Sequence, residues 1–152
     1  MAIEQDIQQE VFKSSFTKAV VNIIYTSNWI SNKQLEVLKP FDLTLQQYNV
    51  LRILRGQFPK PITVNAIIER MLDKMSNASR LVDKLLAKGM VVRRECPEDR
   101  RAVDVVITQK GLDLLAEIDK IQQEWESNFY NLCPEEALQL SNLLDKMRNS
   151  KS

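Results

Sequence analysis

Apolar residues recur at steps of three and four along most of the chain, which is the pattern of amphipathic α-helices. In the first forty residues this pattern predicts one long helix that ends near Pro40. Thr44 offers an N-cap for a second helix from Leu45 to Arg55, and Gly56 offers its stop. The sequence therefore predicts two helices before residue 57.

Two shorter helices are predicted next. After a connector at residues 58–61, Thr63 can cap a short helix whose apolar face includes Ala66, Ile67 and Met71. The following helix ends at Gly89 and has sharply divided faces. Its apolar face comprises Ala78, Leu81, Val82, Leu85 and Leu86. Its polar face comprises Ser76, Asn77, Ser79, Arg80, Asp83 and Lys84.

The pattern then changes to that of a β-hairpin. Residues 90–95 and 103–108 are β-prone, and the six residues between them are turn-like and charged. Thr108 can cap a long helix, and Pro134 opens a last one. The predicted fold is mainly α with a small β-hairpin wing, in a single domain that spans residues 1–152.

Charge is distributed unevenly, although the formal net charge is only +1. From Lys74 to Arg101 there are eight Lys or Arg against four Asp or Glu, a net of +4. From Gln109 to Asp145 there are two Lys against eight Asp or Glu, a net of −6. This division indicates that one face meets a polyanion and another does not, although a solvated surface gives the same charge pattern.

Composition excludes several classes of function. The chain contains no histidine, so Ser-His-Asp and Cys-His catalysis are excluded and the commonest zinc ligand is missing. We therefore predict neither an enzyme nor a cofactor. The longest apolar stretch, Ala19 to Ile30, is interrupted by two asparagines and is too short to cross a bilayer. A cytoplasmic protein without a membrane partner is expected.

The order helix, short helix, helix and basic hairpin is typical of a winged helix-turn-helix, whose second helix enters the major groove of double-stranded DNA. Short polar side chains near the start of that helix suit base edges, and arginine and asparagine are matched to guanine and adenine. The candidate base readers are Ser76, Asn77, Ser79 and Arg80. Lys84 and Lys88, one and two turns further on, are placed for phosphates.

The hairpin tip carries a second candidate contact. Arginine fits the narrow minor groove, and Asp99 can pair with Arg100 or Arg101 and fix its direction. An ordinary charged turn explains the same residues equally well.

Four motifs together resemble the MarR family of transcriptional regulators. They are Leu43-Thr-Leu-Gln-Gln-Tyr-Asn-Val-Leu51, Ser79-Arg-Leu-Val-Asp-Lys-Leu85, Pro97-Glu-Asp-Arg-Arg-Ala-Val103 and Ile107-Thr-Gln-Lys-Gly111. The resemblance covers roughly residues 43–111, which it identifies as the winged region. It implies a sequence-specific regulator, in particular a repressor, that binds a pseudo-palindromic operator as a homodimer.

The same resemblance assigns roles outside the winged region and at its tip. Residues 1–40 and 112–152 are expected to be dimerisation helices, because a winged region of about seventy residues cannot bury both apolar faces. Arg101 matches the family's minor-groove arginine, Asp99 matches its orienting carboxylate, and Arg100 is a further contact. A small-molecule effector is a further expected partner, with no residues assigned to it.

The chain departs from the family pattern before the third helix of the winged region. Residues 70–77 contain no glycine, so that helix is expected to start at Asp73 or at Ser76. Cys96 stands where an acid is common in the family. Two interpretations stay open: a plain turn residue, or a thiol that makes the protein a redox-responsive regulator. A winged helix used for protein assembly, without DNA binding, is the other alternative.

Aromatic residues at helical spacing have two interpretations. They could line a cavity for an aromatic effector, or they could fill a dimer core, which we favour. They are Tyr25, Trp29, Trp125 and Phe129. Cys133, just before Pro134, is expected to be packed.

Overall fold

The chain begins with two helices instead of the single long helix that the apolar pattern predicts. The structure, a computed structural model, describes residues 1–95 and 103–149. Helix α1 (Ile3–Asp6) ends before Gln8, whose φ of 54° is left-handed and interrupts the helix. Helix α2 (Ser15–Leu38) starts anew because the Ser14 hydroxyl accepts a hydrogen bond from the Thr17 amide. The prediction of one continuous helix over residues 1–40 is therefore wrong.

Helix α3 (Leu45–Gln57) begins where the sequence predicts. Thr44 and Gln47 form a reciprocal capping box, in which each side chain accepts from the other residue's amide. The predicted stop at Gly56 is wrong, because that residue stays helical and the last helical residue is Gln57. Glycine permits a helix end without requiring one.

Helix α4 (Val64–Arg70) is short and is capped by the Thr63 hydroxyl, as predicted. Met71 lies just beyond its end and is buried. Helix α5 (Ala78–Ala87) begins later than either predicted position, because the Asn77 side chain accepts from the Arg80 amide and sets the cap there. Gly89, with a φ of 73°, ends it as predicted.

Strands β2 (Val91–Glu95) and β3 (Val103–Ile107) form the predicted antiparallel hairpin, with Val91 opposite Ile107. A third strand, β1 (Ile62–Thr63), pairs with the other edge of β3, and the sheet order is β1-β3-β2. Sequence periodicity missed β1, since two residues are too few to show an alternation.

Helix α6 (Gln109–Glu126) is followed by a 3₁₀ turn (Ser127–Phe129) and by helix α7 (Pro134–Arg148). The predicted class, mainly helical with a small β wing, is confirmed in this order of elements. The largest fully buried side chains come from α3, α4, α5, the sheet and the first half of α6, together with the end of α2. They are Leu38, Val50, Leu51, Leu54, Ile67, Val82, Leu85, Val91, Val105, Leu115 and Ile118.

Helices α2 and α7, which we call the arms, contribute almost nothing to this core. Leu38 is the buried residue of α2, and α7 has none. Their apolar side chains are largely exposed. These are Phe16, Val20, Ile23, Ile24 and Leu35 on α2, and Leu138, Leu140, Leu143 and Met147 on α7.

Two polar contacts hold α3 against α6. The Arg55 guanidinium donates to both carboxylate oxygens of Asp119, at 2.6 and 3.3 Å. The Tyr48 hydroxyl donates to Gln122 Oε1 at 2.8 Å. Helix α3 is thereby fixed to α6, the helix that leads toward the second arm.

The N-terminus of α6 packs tightly against the start of the hairpin. Thr108 caps α6 by accepting from the Gly111 amide, as predicted, and its hydroxyl donates to the Gly89 carbonyl at 2.8 Å. A methyl group built on Gly111 lies 2.6 Å from the Met90 carbonyl oxygen and 2.7 Å from Ile107 Cγ1. Only glycine fits at this position without a backbone shift.

We expect Gly111→Ala to lower the free energy of unfolding by about 1 to 3 kcal/mol, because the new methyl group overpacks a backbone contact. Gly56→Ala is the matched control, since nothing lies within 4 Å of the methyl group it adds. That variant should be unchanged or more stable by up to about 1 kcal/mol, given alanine's higher helix propensity. Thermal and urea unfolding at one protein concentration measure both, and equal stability of Gly111→Ala and wild type contradicts the packing argument.

Candidate nucleic-acid interface

Helix α5 presents a polar face to solvent because its other face is buried in the core. Ala78, Val82 and Leu85 are buried, whereas Ser79 and Arg80 are exposed in the first turn. The helix therefore cannot rotate without exposing its apolar stripe. Its polar residues have a fixed direction.

A cleft of about 300 Å³ lies beside the N-terminus of α5, between that helix and the start of α3. Arg80 and Lys84 line it, and both are exposed and form no ion pair with a described residue. The remaining lining residues are Thr44, Gln46, Gln47, Asp73, Ser76, Asn77 and Leu81. Two exposed cations beside the positive ends of two helix dipoles suit an anion such as a phosphate.

Four of the candidate residues of α5 and the turn before it meet at this cleft. Ser76 and Asn77 lie in the turn, outside the helix, while Arg80 and Lys84 project from it. Ser79 is exposed one residue before Arg80. The Ser76 hydroxyl is covered and has no hydrogen-bond partner among the described residues.

The cap restricts what Asn77 can contact. Its Oδ1 atom accepts from the Arg80 amide at 3.1 Å. A bidentate contact to adenine needs both Oδ1 and the amide nitrogen, so it competes with the cap. The side chain is exposed, and its nitrogen makes no hydrogen bond to the residues described.

Side chains replace glycine in the turn between α4 and α5. Asn49 Oδ1 accepts from the Leu72 amide at 2.9 Å, and Asp73 Oδ1 accepts from the Met75 amide at 2.9 Å. The Lys74 ammonium donates to the carbonyl of Glu69 at the end of α4. These side chains bind backbone groups of the turn and hold its conformation, so the turn forms without a glycine.

Besides Lys74, two more of the cations counted from the sequence are engaged within the protein. The Lys88 ammonium donates to the Asp42 carbonyl and to Gln47 Oε1, so its hydrogen-bonding capacity is partly used within the fold. Arg93 on β2 pairs with Asp83 on α5 at 2.6 Å. This pair anchors the base of the hairpin on α5.

The tip of the hairpin lies outside the described residues. Asp99, Arg100 and Arg101, the predicted wing contacts, fall there, as does Cys96. The two strands that carry the tip are described, and their pairing continues to Glu95 opposite Val103.

The start of α3 was missed as a part of the site. Thr44 and Gln46 are exposed and line the cleft opposite Arg80. Their proximity to Arg80 follows from the packing of α3 on α5, which the pattern of either helix alone does not show.

Three of the four aromatic residues predicted as a core or cavity contact one another, and the fourth, Tyr25, is exposed. Phe129 meets Trp29 and Trp125 edge to face, with ring centroids 5.7 and 4.6 Å apart. A cavity beside Tyr48 and Trp125 has a volume of about 10 Å³, enough for one water molecule. Trp125 Nε1 is buried there without a described partner.

Cys133 is exposed, which contradicts its predicted packing, because it precedes an arm that contributes nothing to the core. In residues 1–95 and 103–149, no three Cys, Asp or Glu side chains cluster as metal ligands do. None of the described helices is long and apolar enough to span a membrane.

Comparison with known proteins places this geometry in a family. A family model described as MarR family matches residues 41–102. A helix-turn-helix transcriptional regulator of Bacillus cereus is 30% identical over 123 residues, which cover 80% of this chain and 78% of that protein.

Two solved structures with similar folds contain DNA. A mutant of E. coli MarR complexed with operator DNA is 27% identical, with a TM-score of 0.75 over 84% of this chain and 92% of that one. The S. aureus MepR–DNA complex is 25% identical, with a TM-score of 0.76 over 90% of this chain and 97% of that one. The chain belongs to the MarR family of winged helix-turn-helix transcriptional regulators.

Proposed function

We propose that the protein is a homodimeric repressor that binds a pseudo-palindromic operator in double-stranded DNA. The observation that carries this proposal is the cleft beside α5, where Arg80 and Lys84 face solvent without ion-pair partners among the described residues. The DNA complexes of MarR and MepR, at 27% and 25% identity, support the same partner.

Within this proposal, α5 reads base edges in the major groove and the hairpin tip enters the adjacent minor groove. The proposed major-groove contacts are Asn77, Ser79 and Arg80, with Lys84 on a phosphate. Ser76 was predicted with them but is left out, because its hydroxyl is covered by the protein. The proposed wing contacts are Arg101, oriented by Asp99, and Arg100. Lys88 is left out because its ammonium binds within the protein.

Dimerisation is proposed from the arms. Exposed apolar side chains recur along α2 and α7, and a contiguous patch of this kind on a single chain is typical of an interaction surface. A second copy of the chain can cover these side chains, because in an isologous interface the arms of one protomer pack against the arms of the other. The net negative charge of residues 109–145 then lies at a distance from the cleft.

Repression follows from occupancy, because a dimer that covers an operator sterically excludes other proteins from that DNA. Control by a small molecule is part of the proposal. Such an effector favours a dimer conformation in which the distance between the two α5 helices no longer matches the distance between the half-sites.

The first test is a titration of the protein against DNA from around its own coding region, at several salt concentrations and with random duplex as competitor. We expect tight binding that weakens steeply with salt and discriminates against the competitor. Absence of any salt-dependent DNA binding contradicts the proposal and favours a protein-assembly role.

Arg80→Ala and Lys84→Ala are expected to weaken DNA binding in different ways. Loss of a base contact at Arg80 should weaken operator binding by about 1 to 3 kcal/mol for each half-site and reduce discrimination among operator variants. Loss of a phosphate contact at Lys84 should weaken all sequences alike and reduce the magnitude of the salt slope by about 2 for a dimer. The two assignments are wrong if the two variants change specificity and salt slope identically.

Arg101→Ala should weaken operator binding by about 1 to 3 kcal/mol if its guanidinium enters the minor groove. Arg100→Ala is the matched comparison, with a smaller expected loss. Competition binding of both variants to one operator fragment measures the difference, and an unchanged affinity of Arg101→Ala removes it from the interface.

Ile24→Glu places a charge on the apolar surface of α2 and is expected to shift the protein from dimer to monomer in sedimentation experiments. Operator affinity should fall with it, because each half-site is then bound independently. Asn22→Glu is the control, since Asn22 lies on the opposite side of α2 at helical spacing. If Ile24→Glu remains dimeric, α2 is not the interface.

A further inference from the structure

Two large apolar side chains on the turn before α5 are almost completely exposed. Leu72 is 89% exposed and Met75 is 92% exposed. Elsewhere in the described part of residues 43–111, the most exposed large apolar residues are Val92 and Phe58, at 50% and 48%. An apolar side chain that meets only water at such a position has no stabilising role in the fold.

The turn that carries these side chains is held in place. Asn49 accepts from the Leu72 amide, while the Asp73 carboxylate accepts from the Met75 amide and the Asp73 carbonyl accepts from the Ser76 amide at 3.2 Å. The ammonium of Lys74 is bound to the end of α4. The backbone at Met75 is therefore ordered before any partner arrives, which reduces the entropy lost on binding.

The dimer interface does not account for Met75. The proposed interface comprises α2 and α7, whereas Met75 immediately precedes Ser76 and Asn77, which line the cleft with Arg80. Met75 does not line the cleft itself but adjoins, along the chain, two of the residues that do. If DNA covers this surface, the group that meets the Met75 side chain must be an apolar group on the edge of a base.

Thymine is the base that does so, through the C5-methyl group that it displays in the major groove. Methionine suits this contact because its unbranched, polarisable side chain adapts to a small apolar target. We propose that Met75 contacts the methyl group of a thymine in each half-site and thereby contributes to sequence specificity. This inference rests on the proposed DNA-binding function and adds a determinant that polar readout alone does not contain.

The test uses the footprinted operator with each thymine replaced in turn by deoxyuridine, which lacks only the C5-methyl group. For the wild-type protein, one symmetry-related thymine pair should matter, with a loss of about fourfold in affinity for each half-site, as for burial of one methyl group. In Met75→Ala, the thymine and uracil operators should bind equally. Met75→Ala should bind the thymine operator as weakly as wild type binds the uracil operator.

Leu72→Ala is the matched control, because Leu72 is equally exposed on the same turn but lies further from α5 along the chain. It should keep the full preference of the wild type for thymine over uracil. Met75→Gln, which retains side-chain length, separates loss of the apolar contact from any effect on the turn. It should lose the preference as Met75→Ala does.

The outcomes separate this inference from the function on which it rests. Tight operator binding by the wild type with no effect of any thymine replacement overturns the Met75 contact and leaves the DNA-binding proposal intact. A preference for thymine that survives in Met75→Ala, or that is lost in Leu72→Ala instead, also overturns it. If the wild type binds no duplex with salt dependence and specificity, the function fails and the inference fails with it.

Discussion

At Gly111, the backbone of α6 lies so close to Met90, the residue before β2, that any side chain on residue 111 would collide with the Met90 carbonyl. Around this contact the Thr108 amide donates to the Met90 carbonyl at 2.9 Å, and the Lys110 ammonium donates to the Lys88 carbonyl at 2.8 Å. The end of α5, both ends of the hairpin and the start of α6 thus form one rigid joint. The Thr-x-Lys-Gly sequence identifies this joint, which fixes the positions of α5 and the hairpin relative to α6.

Helix α6 supports the winged region at two points. The joint at Gly111 holds α5 and the hairpin, and the pairs Arg55–Asp119 and Tyr48–Gln122 hold α3 two to three turns further along. The start of α3 and the start of α5 form the two walls of the cleft, so both walls belong to helices that contact α6. Both walls of the cleft are therefore connected through α6 as well as through their own packing.

Local signals made much of the fold predictable. Caps at Thr44, Thr63 and Thr108 were correct because each acts on an amide three residues away. The start of α5 was predicted wrongly although its cap, Asn77, also acts on an amide three residues away. Asp73, Ser76 and Asn77 are all residue types that cap helices, so the sequence alone did not choose among them. The turn before the cap is fixed by Asn49, 23 residues upstream along the chain, and a contact over that distance leaves no trace in periodicity.

The same distinction applies to the site. The exposed polar face of α5 could be predicted from its amphipathic pattern, which needs only the sequence of that helix. The engagement of Lys88 by Asp42 and Gln47 could not be predicted, since it joins residues more than forty apart. The wall supplied by Gln46 was hidden for a similar reason, because the proximity of α3 and α5 is a property of the fold.

The order β1-β3-β2 leaves β2 with an unpaired outer edge among the described strands. Such an edge invites a strand from another protein, and natural sheets discourage this with charged side chains. Beyond the buried Val91, β2 consists of Val92, Arg93, Arg94 and Glu95, all exposed. The charges that favour a polyanion thus also oppose extension of the sheet by a strand from another molecule.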